Sequence, residues 1–302
     1  MTAKVILNPY SNRWNSKARW TEAEAALKAA GVDFALDVSE HKGHIIELAK
    51  KAVLDGFSPI IAAGGDGTVG EAANGLMQAS ASEAKQGPIG PLGILPTGSA
   101  NDIVFSLGLP TDLNEAAKVI AAGKTKLMDL GKVNGKYFVN NSAAGLEPYV
   151  SIKHEKITWI RGLLRYLVAA VQGVMDKPEW SGQVKWDGGE FNGMLSLISI
   201  GNGRRTGGFF MTPHADMFDG KLTLVYGYRA TRLGLFQALP RAFKEGAGSY
   251  VEMEGMVELN ATKVSIKLNK PSPAHTDGEL FPEWVQNFEY EILPQRLKII
   301  AK

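Results

Sequence analysis

Residues 60–69 read IIAAGGDGTV, an apolar run that passes directly into three glycines, a carboxylate and a hydroxyl. Glycines lack a Cβ, so the backbone N–H groups of such a turn can approach phosphate oxygens closely. The helix expected at 71–77 points its positive N-terminal end toward the same place. The stretch therefore predicts a strand, a phosphate-binding turn and a helix. Asp66 is an anion within that turn, which fits a site that also holds a divalent cation or a hydroxyl group.

Strands and helices alternate from the first residues of the chain up to this turn. The order β-α-β-α-β predicts a Rossmann-like three-layer α/β domain with a parallel sheet, which we place at residues 1–125. Ligands of such sheets bind at the carboxyl ends of the strands, where the glycine turn lies. The expected strands are 4–7, 32–38 and 59–63, and the expected helices include 20–27 and 45–54.

A second glycine-bearing turn, PTGSAND at residues 96–102, follows an apolar strand at 91–95. Two turns at the ends of neighbouring strands can line one pocket. Asp102 also precedes an apolar helix expected at 103–107, where an N-terminal acid commonly caps the helix. A capping role and a functional role for Asp102 both remain open.

Near residue 126 the alternation of strands and helices gives way to short strands separated by turns, and we place a second domain at 126–302. Asn134-Gly135 between two short apolar runs predicts a β-hairpin. Several short strands with turn residues between them then predict an antiparallel β-sandwich. A long helix at 152–175 with basic neighbours is expected to cover a sheet, in preference to a membrane-contact role. The last residues, 296–300, can return to the first domain as a strand.

Composition limits the class of protein. A chain of 302 residues favours two domains, and 33 basic against 31 acidic residues give a net charge of +2, so no nucleic-acid partner is expected. The absence of cysteine excludes disulfides and thiolate chemistry. The N-terminal apolar run is too short for a signal peptide, and no segment reaches the length of a membrane span. We expect a cytoplasmic protein that meets any membrane only as a peripheral protein, on its inner face.

Four motifs follow one another along the chain: GGDGT at 64–68, LPTGSAND at 95–102, GNG at 201–203 with the following stretch to Asp219-Gly220, and Asp277-Gly278-Glu279. In this order they resemble the diacylglycerol kinase catalytic-domain family, and in particular its bacterial lipid kinases. The resemblance implies transfer of the γ-phosphoryl group of ATP to a lipid hydroxyl, with diacylglycerol as the first expectation. It implies ATP and Mg²⁺ as cofactors, a lipid substrate at the membrane surface as partner, and the homodimers that some relatives form.

The same resemblance implies roles for individual residues. Asp66 and Asp102 would orient Mg²⁺ and water against the phosphates. Glu279 would be the general base that accepts the proton of the lipid hydroxyl, and Asp277 either fixes that loop or competes for the role. The residues expected to line the nucleotide are Asn8, Ser11, Ser39, Gly64, Gly65, Asp66, Gly67, Thr68, Thr97, Gly98 and Ser99.

A structural metal site is a further implication of the resemblance. The Asp219 carboxylate would bind the metal with backbone carbonyls near Asp216 and Lys221, and a tight turn without metal is equally open. The histidines have no spacing that suggests zinc, and His275 is the one expected nearest the substrate. The first loop departs from the family at Asn12 and Trp14, where small residues are usual.

Two other functions compete with a lipid kinase. A NAD kinase-like enzyme shares the GGDGT motif, but the second turn of this chain does not have the pattern that such an enzyme predicts. A nucleotide-binding regulator without catalysis is the alternative from another class. The presence of Asp66, Asp102 and Glu279 together argues against it, because a protein that only binds has no need of a base.

Overall fold

The computed structural model describes residues 2–11, 15–83, 87–157, 159–160 and 162–302. The chain divides into two compact units. The first unit contains Met1–Leu130 together with Leu293–Lys302, and the second contains Gly131–Ile292.

The first unit is built on a parallel sheet in the order β2-β1-β3-β4. Its strands are short and apolar, and β1 and β3 are buried along their whole length. The continuous burial is what a sheet covered on both faces requires. These strands are β1 (Ala3–Leu7), β2 (Phe34–Val38), β3 (Ile60–Gly64) and β4 (Ile89–Pro96).

Helices cover this sheet in two groups. Helices α1 and α5 pack against Val5, Ile61 and Leu95, while α2 and α3 contact each other and the strands β1 and β3. The α/β three-layer architecture expected from the sequence is confirmed. The helices of this unit are α1 (Asn15–Ala29), α2 (His44–Leu54), α3 (Asp66–Ser82), α4 (Asp102–Ser106) and α5 (Leu113–Ala122).

A strand from the far end of the chain extends the parallel sheet. Strand β16 (Val285–Ile300) begins in the second unit, and its residues Leu297 and Ile299 pair in parallel with β4. Ala301 then donates its N–H to the carbonyl of Lys124, 3.0 Å away. Residues 293–302 are therefore an integral part of the first unit.

The second unit contains two sheets of antiparallel strands that share one hydrophobic core. One sheet has the order β12-β11-β10-β7-β14-β15, and in the other the first residues of β16 pair with β13, followed by β8 and β9. Both sheets contribute to the core, for example Ile200 and Leu224 from the first, and Ile266 and Phe288 from the second. The β-sandwich expected from the sequence is confirmed.

Strand β5 begins in the first unit and ends in the second. The strands of the second unit are β5 (Thr125–Val133), β6 (Lys136–Phe138), β7 (Asn141–Gly145), β8 (Trp180–Trp186), β9 (Gly189–Leu195), β10 (Leu197–Gly201), β11 (Leu222–Gly227), β12 (Met256–Ala261), β13 (Lys263–Ser272), β14 (Ala274–Thr276) and β15 (Glu279–Leu280). Its helices are α6 (Leu146–Lys156), α7 (Gly162–Asp176) and α8 (Arg232–Arg241).

The prediction of a single long helix at 152–175 is wrong. Helix α6 ends at Lys156, where Ile157 takes an extended conformation, and α7 begins at Gly162. Apolar residues continue through the break at Ile157 and Ile160, so the spacing of apolar residues alone did not reveal it. Among the described residues, no helix has both the length and the apolar character needed to cross a membrane.

Candidate functional site

The carboxyl ends of the parallel strands bring the predicted nucleotide residues together. Asn8 follows β1, Ser39 follows β2, and Thr97 follows β4. The Asn8 side-chain amide donates to the Thr68 hydroxyl at 3.0 Å, and the Ser11 hydroxyl lies 3.3 Å from the same oxygen. The first loop and the GGDGT turn are thus joined at Thr68. Asn12 and Trp14 lie outside the described residues.

The two glycine turns touch each other through their backbones. The N–H groups of Thr97 and Gly98 donate to the Gly64 carbonyl at 3.1 and 3.0 Å. A Cβ added to Gly98 would lie 2.3 Å from the Gly65 Cα, and one added to Gly64 would lie 2.2 Å from the Thr68 hydroxyl. Only glycine permits the backbones of the two turns to approach this closely.

Substitution Gly98→Ala is expected to separate the turns and to weaken nucleotide binding. The added methyl group meets backbone atoms that have no rotamer with which to escape, at a cost of about 1–3 kcal/mol. Calorimetric titration with ATP measures the affinity, and thermal unfolding measures the stability. Gly246→Ala is the matched control, because nothing lies within 4 Å of its added Cβ. Unchanged ATP affinity in Gly98→Ala would contradict this account of the two turns.

Asp66 connects the first turn to the helix after the second turn. It occupies the first turn of α3, and its Oδ1 accepts the N–H of Ile103 at 2.8 Å. Asp102 is buried and is the first residue of α4, whose N-cap position is Asn101. Asp102 is therefore not the N-cap residue of α4, and the capping interpretation is wrong in this detail. The N–H of Ile103, at the start of α4, is instead bound by the Asp66 carboxylate from the first turn.

The remaining predicted nucleotide residues also lie in this unit, with different degrees of exposure. Ser99 is exposed at the tip of the second turn, and Gly67 is half-buried in the first turn of α3. Ser39 is buried, and its hydroxyl donates to the carbonyl of His41 at 3.3 Å. Sequence reasoning missed Ser16, whose hydroxyl hydrogen-bonds that of Thr97 from the start of α1.

In the second unit, Asp277 and Gly278 form the tight turn of a small hairpin. Both have positive φ, 48° and 83°, as a two-residue turn of this kind requires. Strand β14 precedes the turn and β15 follows it, with Thr276 opposite Glu279. Glu279 is half-buried at the start of β15.

The Asp277 carboxylate is occupied by backbone donors. Its Oδ2 accepts the N–H of Val139 at 2.8 Å, and its Oδ1 accepts those of Asn140 and Asn141 at 2.8 and 3.1 Å. Its own N–H donates to the carbonyl of Asn141 at 2.8 Å. A carboxylate that accepts several N–H groups is held in the charged form and makes a poor proton acceptor. Of the two roles left open, this geometry supports fixing the loop.

A buried polar cluster beside this hairpin was missed by the sequence prediction. Glu147, at the start of α6, accepts hydrogen bonds from the Ser199 hydroxyl, the Asn141 amide at 3.3 Å, and His275 Nε2 at 3.1 Å. Burial strongly raises the pKa of the Tyr290 hydroxyl, and the charge of Glu147 contributes to the rise. The only sequence signal is an acid set in the otherwise apolar stretch AAGLEPYV at 143–150.

The Asp216 to Lys221 segment forms consecutive local turns. The Asp216 carboxylate accepts the N–H of Phe218 at 3.0 Å, and the Asp219 carboxylate accepts the N–H of Lys221 at 2.9 Å. Among the described residues, no group of three or more histidine, aspartate or glutamate side chains is placed to hold a metal ion. A metal at Asp219 would therefore depend on carbonyl oxygens, as the sequence interpretation assumed.

An apolar cavity of about 100 Å³ lies in the second unit. Helices α6, α7 and α8 contribute to its lining through Val150, Ala170 and Leu239, and Met256 contributes from β12. Glu147 is the only acidic residue among the described residues of the lining. Such a cavity suits a narrow hydrocarbon group.

The chain thus combines an α/β unit, whose two glycine turns meet at the carboxyl edge of a parallel sheet, with a β-sandwich unit that contains an apolar cavity. Residues 2–133 match the diacylglycerol kinase catalytic domain, and residues 140–301 match the YegS C-terminal NAD kinase beta sandwich-like domain. The chain belongs to the diacylglycerol kinase catalytic-domain family and is a kinase, which confirms the family resemblance of its motifs.

Individual relatives agree with this assignment. The diacylglycerol kinase of Staphylococcus carnosus is 28% identical over 288 residues, covering 95% of this chain and 91% of that protein. That of Bacillus subtilis is 27% identical, covering 92% and 89%. A crystal structure of a diacylglycerol kinase from Bacillus anthracis matches with a TM-score of 0.73 and 21% identity over 100% of this chain and 97% of that one, and so shows the same fold.

Proposed function

We propose that this protein is an ATP-dependent lipid kinase that transfers the γ-phosphoryl group of ATP to a lipid hydroxyl, with diacylglycerol as substrate and phosphatidic acid as product. The observation that carries the proposal is the contact between the two glycine turns, which assembles backbone N–H groups, hydroxyls and two carboxylates at the carboxyl edge of a parallel sheet. Phosphoryl transfer depends mainly on positioning and on charge neutralisation, which this edge is equipped to supply.

The nucleotide is assigned to the first unit. The side chains of Asn8, Ser11 and Thr68 form one hydrogen-bonded group beside the turn, and Thr97 adds a hydroxyl from the next strand. The predicted residues Ser39, Gly64 to Thr68, Gly98 and Ser99 complete the proposed site. The positive end of α3 favours the charge of the phosphates.

Mg²⁺ fits the donors at the same edge, because hard cations prefer carboxylate and phosphate oxygens. Asp66 and Asp102 would hold it together with the phosphates of ATP, since the described residues offer no complete protein-only cage. When bound, the ion would neutralise charge on the transferred phosphoryl group. We retain Asp219, with the carbonyls near Asp216 and Lys221, as a separate proposed structural metal site.

The second unit is proposed to bind the lipid and to supply the base. Glu279 stands at the start of β15, whereas Asp277 is committed to backbone donors. Glu279 is therefore the better candidate to accept the proton of the lipid hydroxyl. We assign the cavity beneath α6, α7 and α8 to an acyl chain of the substrate.

Substitution Ala170→Leu is expected to lower activity on long-chain diacylglycerol by roughly tenfold, while activity on a short-chain analogue changes little. Ala170 is buried and lines the cavity, so the larger side chain fills space that an acyl chain would occupy. Kinase assays with dioleoylglycerol in vesicles and with dihexanoylglycerol measure the two activities. Val171→Leu, at an exposed position of the same helix, is the control. Equal loss on both substrates would contradict the acyl assignment.

The proposed function is tested by incubating the protein with labelled ATP and Mg²⁺, and either a lipid extract or NAD. We expect a labelled lipid whose mass is that of phosphatidic acid. Label in NADP would establish the NAD kinase-like alternative, and tight ATP binding without any product would establish the silent regulator. Co-sedimentation with vesicles tests peripheral membrane association, and analytical ultracentrifugation tests the proposed homodimer.

A further inference from the structure

Glu147 and His275 form a buried pair that the proposed chemistry does not use. His275 is 0% exposed and Glu147 is 5% exposed, and the distance from His275 Nε2 to Glu147 Oε1 is 3.1 Å. They are separated by 128 residues in sequence. A buried carboxylate and imidazole are costly unless their hydrogen bonds are satisfied, so the contact needs a reason.

The carboxylate of Glu147 is held by donors from three different strands. The Ser199 hydroxyl in β10 and the Asn141 amide in β7 donate to it, together with His275 in β14. Burial raises the pKa of the nearby Tyr250 hydroxyl, with the charge of Glu147 adding to the rise, so that this tyrosine stays protonated.

The two ring nitrogens of His275 have different surroundings. Nε2 contacts Glu147, whereas Nδ1 is buried and has no hydrogen-bond partner among the described residues. A proton on Nε2 meets the Glu147 carboxylate, whereas a proton on Nδ1 would be a buried donor without a partner among the described residues. Nε2 is therefore the donor in this contact, and the Glu147 carboxylate accepts.

The pair lies at the base of the hairpin that carries Glu279. His275 is in β14, where it pairs with Ala143 of β7, and the turn at Asp277 begins two residues later. The Asp277 carboxylate fastens the tip of the hairpin to residues 139–141, and the His275 ring fastens its first strand to the start of α6. The hairpin is thus fixed at two points, one on each side of Thr276.

We propose that Glu147 and His275 are a positioning pair, which holds the hairpin so that Glu279 keeps its orientation toward the acceptor hydroxyl. This inference rests on the proposed role of Glu279. In this proposal the pair acts through the hairpin, without contact to ATP or to the reacting atoms. Its loss should therefore lower kcat and leave the KM for ATP unchanged.

The test compares His275→Leu with His275→Gln. Leucine removes the donor, while the glutamine amide places an N–H near the position of Nε2. For His275→Leu we expect kcat to fall about 10- to 100-fold with unchanged KM for ATP, because small misplacements of a catalytic group have effects of this size. For His275→Gln we expect kcat within about threefold of the parent, because the donor to Glu147 is retained.

His214→Leu is the matched control. His214 forms an exposed pair with Glu258, with 2.7 Å between Nδ1 and Oε2, in the same unit. Its loss should leave kcat unchanged. Equal losses of kcat in His275→Leu and His275→Gln, or a loss confined to the KM for ATP, would overturn the positioning role.

Two measurements separate this inference from the proposed function, because neither needs turnover. Nitrogen-15 NMR of the histidine rings should show the ring proton of His275 on Nε2, and a proton on Nδ1 would overturn the assignment of the donor. Hydrogen exchange of the amides at 276–281 should be faster in His275→Leu and unchanged in His275→Gln. Faster exchange in neither variant would mean that the pair does not hold the hairpin.

Discussion

Substitution Asp66→Asn is expected to lower turnover about 10²- to 10³-fold and to leave the fold intact. The amide oxygen of the new side chain can still accept the N–H of Ile103, which Asp66 Oδ1 now accepts at 2.8 Å. What the variant loses is the negative charge at the junction of the two glycine turns. Steady-state kinetics at saturating ATP and Mg²⁺ measures turnover, and calorimetric titration should show that ATP still binds.

The control for this variant is Asp112→Asn. Asp112 is the N-cap of α5 in the same unit, and its Oδ1 accepts the N–H of Glu115 at 3.0 Å. Both substitutions remove an acid that accepts an N–H at the start of a helix, at a cost of about 1 kcal/mol or less. Only the change at Asp66 should affect turnover. Normal turnover in Asp66→Asn would remove that carboxylate from the proposed chemistry.

Substitution of Glu279 is expected to lower kcat without loss of stability, whereas substitution of Asp277 is expected to lower the stability of the fold. Glu279→Gln removes the proposed base, so kcat should fall about 10²- to 10⁴-fold while the unfolding temperature stays constant. Asp277→Asn turns an amide NH₂ toward one of the N–H donors at 139–141, which should lower the free energy of unfolding by about 1–3 kcal/mol. Lipid phosphorylation assays and thermal unfolding of both variants measure the two effects.

Glu283→Gln is the control for charge alone, since Glu283 is exposed and lies four residues after Glu279 in sequence. It should retain the parent activity. Preserved lipid phosphorylation in Glu279→Gln would exclude Glu279 as the base. A large loss of kcat in Asp277→Asn without any loss of stability would instead move that role to Asp277.

The parallel sheet and its binding edge were predictable from the sequence because their signals are local. Each strand of the first unit is a short apolar run, and each glycine turn directly follows a strand. A position where the backbones approach too closely for a Cβ can be recognised because it carries glycine. Gly98 is an example, since a Cβ there would meet the Gly65 backbone. The meeting of the two turns follows from the rule that the ends of adjacent parallel strands share one edge.

The interactions that hold the second unit together were not predictable, because their partners are distant in sequence. Asp277 binds N–H groups 136 to 138 residues earlier, and an Asp-Gly pair alone predicts only a turn. Likewise, nothing near Glu147 indicates that His275 contacts it. The continuous run at 191–200 divides into β9 and β10, which lie in different sheets, and the sequence carries no glycine or proline at Ser196 to mark the division.

The return of β16 to the parallel sheet has a consequence for synthesis on the ribosome. Strand β4 forms within the first hundred residues, yet its neighbour near Leu297 and Ile299 is made just over two hundred residues later, as the pairs Leu297–Ile89 and Ile299–Leu92 show. Until that segment emerges, the backbone donors and acceptors along this side of β4 have no strand partner. An unpaired strand edge is a template for association with other chains. The nascent first unit therefore has one unpaired edge of its parallel sheet until residues 297–299 are synthesised. During this time chaperones that cover the edge would prevent association with other chains.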